Sequence, residues 1–325
     1  MADIRLVVQD SVSWKAAEIS TLTSSITWST SLIDQPGKLE FEYIRNETVF
    51  FGEGSRVSLI IDGKGYFYGY VFTRKRNETG RVSITAYDQL RYLQNKDIKV
   101  FESVTCSQMF SQICAEQQLK CSVLHASPYV IPPVIHDNKS YFQMIQDAID
   151  ATLTNTGRWY AIRDNFGVLE HVDLAMLKVG LLVGDASLLT GYEYETSIDS
   201  ETANQVKLVK DNKETQKRDV YIERDSSTIQ RWGLLQHFEV MDEKANEAQI
   251  IQRAQMLLRL KNRPTRRLKL SALGNLRVRE GVGIGTAIRD LEAEGVGSQR
   301  FGLVKSCEHE FRNGLHKMTL EIEVA

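Results

Sequence analysis

One β-pattern occurs twice in this sequence, near its beginning and at its end. The motif EGxxV at 53–57 returns as EGxxI at 280–284, and YGxV at 68–71 returns as FGxV at 301–304. Around these motifs apolar and polar residues alternate, and this period of two residues predicts strands. We predict two β-modules of similar plan, the second with a longer hairpin loop at 292–299; the alternative is that two unrelated β-meanders share these motifs by chance.

Length, charge and hydropathy exclude several classes of protein. The chain has 325 residues, of which 42% are hydrophobic, which suits two or three domains with buried cores. Its 40 Lys and Arg residues balance 42 Asp and Glu residues, so no bulk positive charge is available to attract nucleic acid. The most apolar window, 176–189, is shorter than the roughly 20 residues of a membrane helix, and the first residues lack a cationic head followed by an apolar stretch. We predict no nucleic-acid recognition, no membrane insertion and no secretory leader.

The first two thirds of the chain divide into a β-rich part and a mixed part. Residues 1–98 contain about six strand patterns and almost no helix signal, which predicts a first small β-barrel, because closure removes exposed strand edges. Residues 99–188 predict an α+β middle domain with two helices against a small sheet. Ser103 or Thr105 is the expected cap of the first helix, and the second runs from about Ser140 to Leu153.

The last third returns to β-patterns and contains the longest predicted helix. Residues 189–325 predict a second β-barrel, interrupted by a helix at 242–262. Asp242 is the expected cap of that helix, and Pro264 prevents its continuation. The predicted fold class is therefore α+β, mostly β: two similar small β-barrels flank an α+β middle domain.

Three glycines superficially suggest a phosphate-binding loop. They are Gly281, Gly283 and Gly285. A nucleotide-binding fingerprint requires a strand, a glycine-rich turn and a helix in that order, whereas residues 286–288 continue as a strand. The pattern therefore favours glycines in a bent barrel strand, and we predict no cofactor-binding residues.

Histidines and cysteines are scattered in the sequence. The histidines are at 125, 136, 171, 237, 309 and 316, and the cysteines at 106, 114, 121 and 307. No CxxC motif occurs, so reduced, mostly buried thiols are expected. Glu308 and Glu310 lie on the opposite strand face from His309, which favours a surface strand over a metal site. We predict no metal-binding residues.

Paired carboxylates and basic tracts remain as candidates for function. Glu193 with Glu195 and Glu321 with Glu323 could support glycoside hydrolysis, but glutamates alternating on the wet face of a sheet are far commoner, so we predict no catalytic residues. The basic tracts at 74–76 and 263–267 are either solvated strand ends or docking points for an acidic partner.

Several stretches, in this order, resemble one known family. They are TWSTSLIDQPGKLEFEYI at 27–44, YFYGYVFTRKR at 66–76, SITAYDQLRYLQNKD at 83–97, KSYFQMIQDAID at 139–150, ANQVKLV at 203–209 and GLLQHFEVMDEKANEAQIIQRAQMLL at 233–258. Together they resemble the XkdQ-type baseplate hub proteins of contractile tails in Gram-positive phages and phage-derived bacteriocins, which are related to the hubs of T4-like and Mu-like tails.

The resemblance implies a structural protein with no enzymatic activity. Hubs of this kind are homotrimers whose subunits each carry two similar β-barrels, so that a trimer meets a hexameric tail tube on one side and a trimeric central spike on the other. Expected partners are the tube protein, the spike protein and other baseplate components. The expected location is the bacterial cytoplasm during assembly and then the virion or tail-like particle. The alternative is a cell-wall glycan-binding or peptidoglycan-degrading tail module, which would use the paired glutamates and the aromatic segment 66–70.

Overall fold

The computed structural model describes residues 3–32, 35–45, 51–199, 201–212, 217–241, 245–296 and 298–323. The strands are β1 (Ile4–Gln9), β2 (Ala16–Glu18), β3 (Thr23–Ser31), β4 (Lys38–Ile44), β5 (Arg56–Ile61), β6 (Lys64–Arg76), β7 (Arg81–Tyr87), β8 (Lys96–Phe101), β9 (Val104–Thr105), β10 (Cys121–Val123), β11 (Val130–Ile131), β12 (Val134–Ser140), β13 (Tyr160–Asn165), β14 (Val168–Asp173), β15 (Lys178–Gly184), β16 (Leu189–Ser197), β17 (Gln205–Asn212), β18 (Lys217–Arg224), β19 (Gln236–Val240), β20 (Thr265–Leu273), β21 (Gly283–Ala287), β22 (Ser298–Arg312) and β23 (Leu315–Glu323). The helices are α1 (Cys106–Glu116), α2 (Tyr141–Thr156), α3 (Ser226–Trp232) and α4 (Glu247–Lys261).

The chain forms two compact units. The first contains Met1–Tyr192 and Lys269–Val324, and the second contains Glu193–Leu268. The predicted α+β, mostly β class agrees with this strand-rich architecture. In the part of the chain that the structure describes, no helix is long and apolar enough to cross a membrane.

One large sheet contains both β-modules. Its strand order is β16-β20-β23-β22-β3-β4-β7-β6-β5-β1-β2, and β21 pairs with both β22 and β15. The first module therefore has the order β3-β4-β7-β6-β5-β1, and the second has β16-β20-β23-β22-β21-β15. Six strands of each module correspond in sequence order and in spatial order. The outermost pair differs, because β1 is antiparallel to β5 whereas β15 is parallel to β21.

Neither module closes into a barrel by strand pairing among the described residues. The path through the sheet ends at β2 on one side and at β16 on the other. The inner face of the first module is nevertheless a single core, since alternate residues of its strands are buried together. This core includes Leu6, Trp28, Leu39, Leu59, Phe67, Val82 and Ile84. Closed barrels stay a prediction.

The segment between the modules is a small α+β assembly, as the sequence predicts. Helices α1 and α2 pack together, and their apolar faces share one core with β13 and β14. Each helix begins with a capping box, because Thr105 accepts from the Gln108 amide and Ser140 from the Gln143 amide. Of the two expected caps of the first helix, Thr105 is the one used.

The second unit consists of a three-stranded sheet with helix α4 on one face. The sheet order is β18-β17-β19, and Val206 and Leu208 of β17 pack against Ile250, Ala254 and Leu257 of α4. In sequence order most of this unit lies between β16 and β20, at the position where the first module has only the short segment 32–37 between β3 and β4. The second module therefore carries a whole insertion rather than a helix alone.

The predicted start of the long helix at 242 is wrong. The helix is Glu247–Lys261, and its cap is Asn246, whose side chain accepts from the Gln249 amide while the Gln249 side chain accepts from the Asn246 amide. Residue 245 lies before the helix, and the expected cap, Asp242, lies outside the described residues. Two polar N-cap candidates stand four positions apart in this stretch, and only Asn246 has a Gln at the third helical position to complete a capping box.

Candidate assembly interface

The two modules match residue by residue where each meander begins. Gly54 and Gly281 both have a positive φ, 77° and 79°, a conformation that suits glycine. The Gly54 amide donates to the Val71 carbonyl, and the Gly281 amide donates to the Val304 carbonyl, each at 2.8 Å. The repeated sequence motif therefore encodes the same backbone turn twice.

The central glycines of the two copies also occupy equivalent positions. Gly69 opposes Val57 across β5 and β6, and Gly302 opposes Ile284 across β21 and β22. A bulge follows each copy directly, because the pairing register shifts between Val71 and Thr73 in β6 and between Val304 and Ser306 in β22. Shared registers and shared bulges confirm that the two β-meanders have one plan.

The modules join through strands β3 and β22. Residues Ser25–Ser31 of β3 pair antiparallel with Ser306–Arg312 of β22, so both modules belong to one continuous sheet. Ser29 lies opposite Glu308 and donates its hydroxyl to the carboxylate at 3.2 Å. Seven consecutive residue pairs make this a long permanent contact inside one chain.

A buried histidine lies at this junction. His309 is fully buried and stacks on Trp28, with ring centroids 5.2 Å apart. Its Nε2–H donates to the Val278 carbonyl at 2.8 Å, which leaves Nδ1 as the acceptor for His316 Nε2, 3.0 Å away. Burial lowers the pKa of His309 to about 4. The expectation of a surface strand at 308–310 is therefore wrong for His309, although both neighbouring glutamates do point away from it.

A polar cluster beside the junction connects both modules and the middle segment. Arg279 donates through Nε and Nη2 to the Glu280 carboxylate and through Nη2 to the Asp164 carbonyl, at 2.8 Å. Asp88 accepts from the Gly37 and Leu90 amides. Burial raises the pKa of Asp164 to about 6, and burial followed by the charge of Asp164 raises the pKa of Asp88. One guanidinium thus compensates several buried carboxyl groups.

The glutamates considered for hydrolysis lie on two strands, β16 and β23. Glu193 and Glu195 are exposed on β16, Glu321 accepts from the Ser306 hydroxyl, and Glu323 pairs with Lys305 at 3.5 Å. The aromatic segment is engaged inside the chain, since Tyr66 packs edge-on against Trp28, and Tyr68 packs against Tyr70 and Phe166.

The glycines considered for phosphate binding lie in β21 and in the turn before it. Gly283 and Gly285 lie within β21, between β15 and β22, whereas Gly281 lies in the turn before this strand, with a positive φ. All four cysteines are free, and burial raises the pKa of Cys106 to about 12, so this thiol stays protonated and unreactive. Within the described ranges no three His, Cys, Asp or Glu side chains are grouped so that they could hold a metal ion.

Two histidine contacts were not predicted from the sequence. His309 meets His316 across the turn at 313–314, and the backbone amide of Asp173 donates to His125 while His171 contacts the His125 carbonyl. The first contact could have been found from the hairpin register, because Phe311 opposes His316 and His309 is its neighbour on the same face. The second depends on the parallel pairing of β10 with β14, which no local signal encodes.

The basic tract Arg74-Lys75-Arg76 forms the end of β6, where Lys75 and Arg76 are exposed. The second tract, Arg263 with Arg266 and Arg267, surrounds the start of β20.

Comparison with known proteins assigns the family. The model of the YqbQ-like family matches residues 26–323. The chain belongs to the YqbQ-like family. Two relatives from Bacillus subtilis (strain 168) are the uncharacterized protein YqbQ, 31% identical, and the phage-like element PBSX protein XkdQ, 30% identical, each over 83% of this chain and 81% of the relative. The resemblance seen in the sequence is thereby confirmed.

The fold of this YqbQ-like chain is that of tail proteins. The 43 kDa tail protein of prophage MuSo2 from Shewanella oneidensis superposes with a TM-score of 0.73 at 13% identity, covering 98% of both chains. Prophage tail protein gp18 from Listeria monocytogenes gives 0.59 at 14% identity, covering 98% of this chain and 94% of that one. The E. coli protein c3393, a type VI secretion component with structural similarity to the T4 tail proteins gp27 and gp5, gives 0.54 at 11% identity, covering 93% and 73%.

Proposed function

We propose that this chain is a structural, non-enzymatic component of a phage-type tail baseplate, and that it acts as the hub. In this function three copies assemble and connect the hexameric tail tube to the trimeric central spike, beside other baseplate components. The observation that carries the proposal is the duplicated module: three chains supply six equivalent β-modules, and a threefold assembly can then present sixfold order. Closed barrels at 1–98 and 189–325, flanking a middle domain at 99–188, complete the proposal.

The comparisons with tail proteins support this proposal. XkdQ belongs to a phage-like element, and the MuSo2 and Listeria proteins are tail proteins. A Francisella complex of PdpA with VgrG contains a chain that superposes with a TM-score of 0.56 at 10% identity, covering 99% of this chain and 58% of that one. The proposed life cycle is assembly in the bacterial cytoplasm followed by incorporation into the virion or tail-like particle.

Light scattering with copurification tests the hub function. The expected mass is that of three chains of 37.0 kDa, about 111 kDa, and the trimer should copurify with coexpressed tube and spike proteins. A strictly monomeric chain at assembly concentrations, without affinity for tube or spike, would contradict the proposal. A peptidoglycan turbidity assay tests the alternative: clearing that is abolished by Glu193→Gln or Glu321→Gln would show an enzyme instead.

A further inference from the structure

The three-stranded sheet of the second unit has apolar side chains on both of its faces. Helix α4 covers one face, where Val206 and Leu208 lie. Successive side chains of a strand point to opposite faces, so Lys207 and Val209 lie on the other face. The register of β17 with its two neighbours places four more apolar side chains there: Val220, Ile222, Phe238 and Val240. We call this second surface, centred on Lys207 and Val209, the insertion face.

The insertion face is apolar and exposed. Its four outer apolar side chains are Val220, Ile222, Phe238 and Val240, which are 50%, 51%, 49% and 51% exposed. Tyr221, between two of them in β18, packs against the core beneath α4, so this strand carries three consecutive apolar side chains that point to both faces. Such a run is typical of a strand that is covered on both sides. A contiguous exposed apolar patch of this kind marks an interaction surface.

The charge of the insertion face indicates what kind of partner it fits. Lys207 lies among the apolar side chains and Arg224 is exposed at one end of the face, whereas Arg218 at the other end is paired with Asp211 at 2.8 Å. The described residues of this face therefore have an excess of two positive charges. Like charges that face each other oppose association, so two insertion faces repel one another. The fitting partner is apolar at its centre and acidic at its rim.

Strands β8 and β12 of the middle segment present a surface of that kind. On their inner side Phe101 and Val134 pack into the core shared with α1 and α2. On their outer side are three apolar side chains, of which Val100 and Ile135 lie directly opposite one another. Their exposed fractions are 64% for Ile98, 59% for Val100 and 71% for Ile135. We call this surface the ribbon face.

The rim of the ribbon face is acidic. Glu102 follows Val100 by two residues and Asp137 follows Ile135 by two residues, and both are exposed, so both lie on the outer side of the ribbon. Lys96, at the start of β8, is the opposing charge on that side. The ribbon face therefore has an excess of one negative charge around an apolar centre, which complements the insertion face.

We propose that the insertion face of one copy packs against the ribbon face of a second copy. This inference rests on the proposed trimeric hub and identifies a surface that holds it together. The two faces differ, so the contact passes from copy to copy and closes into a ring of three. Packing buries both apolar centres, which drives association. It also brings the cations of one face towards the carboxylates of the other, which selects this partner over a second insertion face.

Cross-linking between single cysteines tests the contact. Phe238→Cys and Ile135→Cys are introduced into separate, differently tagged chains that also carry Cys121→Ser, because Cys121 is partly exposed and the other three native thiols are buried. Packed sheets lie about 10 Å apart, so a bismaleimide of about that span is added to the coexpressed chains. The expected product joins one chain of each kind. A chain that carries both cysteines should give linked species up to the trimer.

Three other products would overturn the proposal. Links between two Phe238→Cys chains would show that insertion faces meet each other. A link within the doubly substituted chain, without a gain in mass, would show that the chain covers its own face. Capture of coexpressed tube or spike protein by Phe238→Cys, in place of a second copy, would show a different occupant.

Aspartate substitutions on the two faces give an independent readout. Ile222→Asp and Ile135→Asp should each weaken association about a hundredfold, because an isoleucine leaves the contact and a carboxylate enters it. Val12→Asp, at a position that is 84% exposed and outside both faces, is the matched control. Sedimentation velocity measures association, and circular dichroism checks that each variant is folded. Association that is unchanged in the folded variants contradicts the contact.

Charge exchange keeps the test decisive where an aspartate variant does not fold. Lys207→Glu should weaken association about tenfold, and its combination with Glu102→Lys and Asp137→Lys should restore it. A wild-type trimer that forms no such link and responds to none of these substitutions overturns the contact and leaves the hub intact. A wild-type chain that stays monomeric overturns both.

Discussion

Replacing Arg279 with Met tests whether the polar cluster holds the modules together. Arg279 is 17% exposed and Glu280 is 3% exposed, and the guanidinium also lies 5.8 Å from the centre of the Trp28 ring. Met retains the apolar stem of the side chain and removes only the charge and its donors. The Glu280 carboxylate and the Asp164 carbonyl would then be left buried without these hydrogen bonds.

The expected loss in the free energy of unfolding is about 3 kcal/mol at neutral pH, since removing one partner of a buried ion pair costs roughly 3–5 kcal/mol. The pH dependence has a defined sign. Folding raises the pKa of Asp164 from 3.8 to about 6, so the folded state binds more protons and its stability falls as pH rises from about 4 to 6. The charge of Arg279 lowers that pKa, and its removal extends the fall to higher pH.

The measurement is urea unfolding followed by tryptophan fluorescence, at pH 5.0 and pH 7.5. The loss in the free energy of unfolding should be larger at pH 7.5 than at pH 5.0. The difference should be about 1.4 kcal/mol for each unit by which the substitution raises the pKa of Asp164. Arg5→Met is the control in the same unit, because its ion pair with Glu18 is about half exposed and such pairs contribute about 1 kcal/mol or less. An Arg279→Met variant that loses no more stability than the control, equally at both pH values, would refute the reasoning.

Three further perturbations follow from the described contacts. Gly69→Ala should destabilise severely, because the new Cβ would lie 2.1 Å from the Tyr87 carbonyl oxygen, whereas Gly180→Ala meets no atom within 4 Å; thermal unfolding compares them, and equal midpoints would contradict the geometry. The free energy of unfolding of the wild-type chain should fall by about 3 kcal/mol between pH 6.5 and 4, because a histidine whose pKa is lowered by folding destabilises the folded state as pH falls. His309→Gln should remove this loss, and unchanged acid sensitivity would argue against it. Ser140→Ala should cost about 1 kcal/mol by loss of the α2 cap, and a neutral result in urea unfolding would show that the capping box contributes nothing.

The features that sequence predicts well are those with local chemical causes. The two EGxx turns need a glycine with positive φ, and their strands alternate with period two, so the sequence alone predicts both copies. Thr105 was one of the two expected caps of α1, and Ser140 was the expected start of α2, where a side-chain oxygen within one turn satisfies free amides. The predicted repeat is therefore confirmed down to the residue pairs that face each other.

The features that the sequence does not predict depend on contacts between distant segments. In the sequence, the insertion at 193–268 cannot be distinguished from the second module, because its strands have the same period of two residues as the strands of that module. The burial of His309 depends on β3, some 280 residues earlier, crossing the edge of β22. Arg279, Asp164 and Asp88 are separated by 75 residues or more, and no motif links them. Their proximity follows from the fold alone.

The two equivalent half-strands of β6 and β22 differ in sequence and in burial. At 306–309 the second module has Ser-Cys-Glu-His, with Cys307 and His309 buried against a strand of the same chain. At 73–76 the first module has Thr-Arg-Lys-Arg. Cys307 and His309 can be buried because β3 of the same chain pairs with this half of β22. In the first module Lys75 and Arg76 are exposed and charged, and charged side chains on a strand, above all lysine, disfavour pairing between identical strands. The same backbone plan therefore carries two buried, uncharged side chains in one module and a basic half-strand in the other.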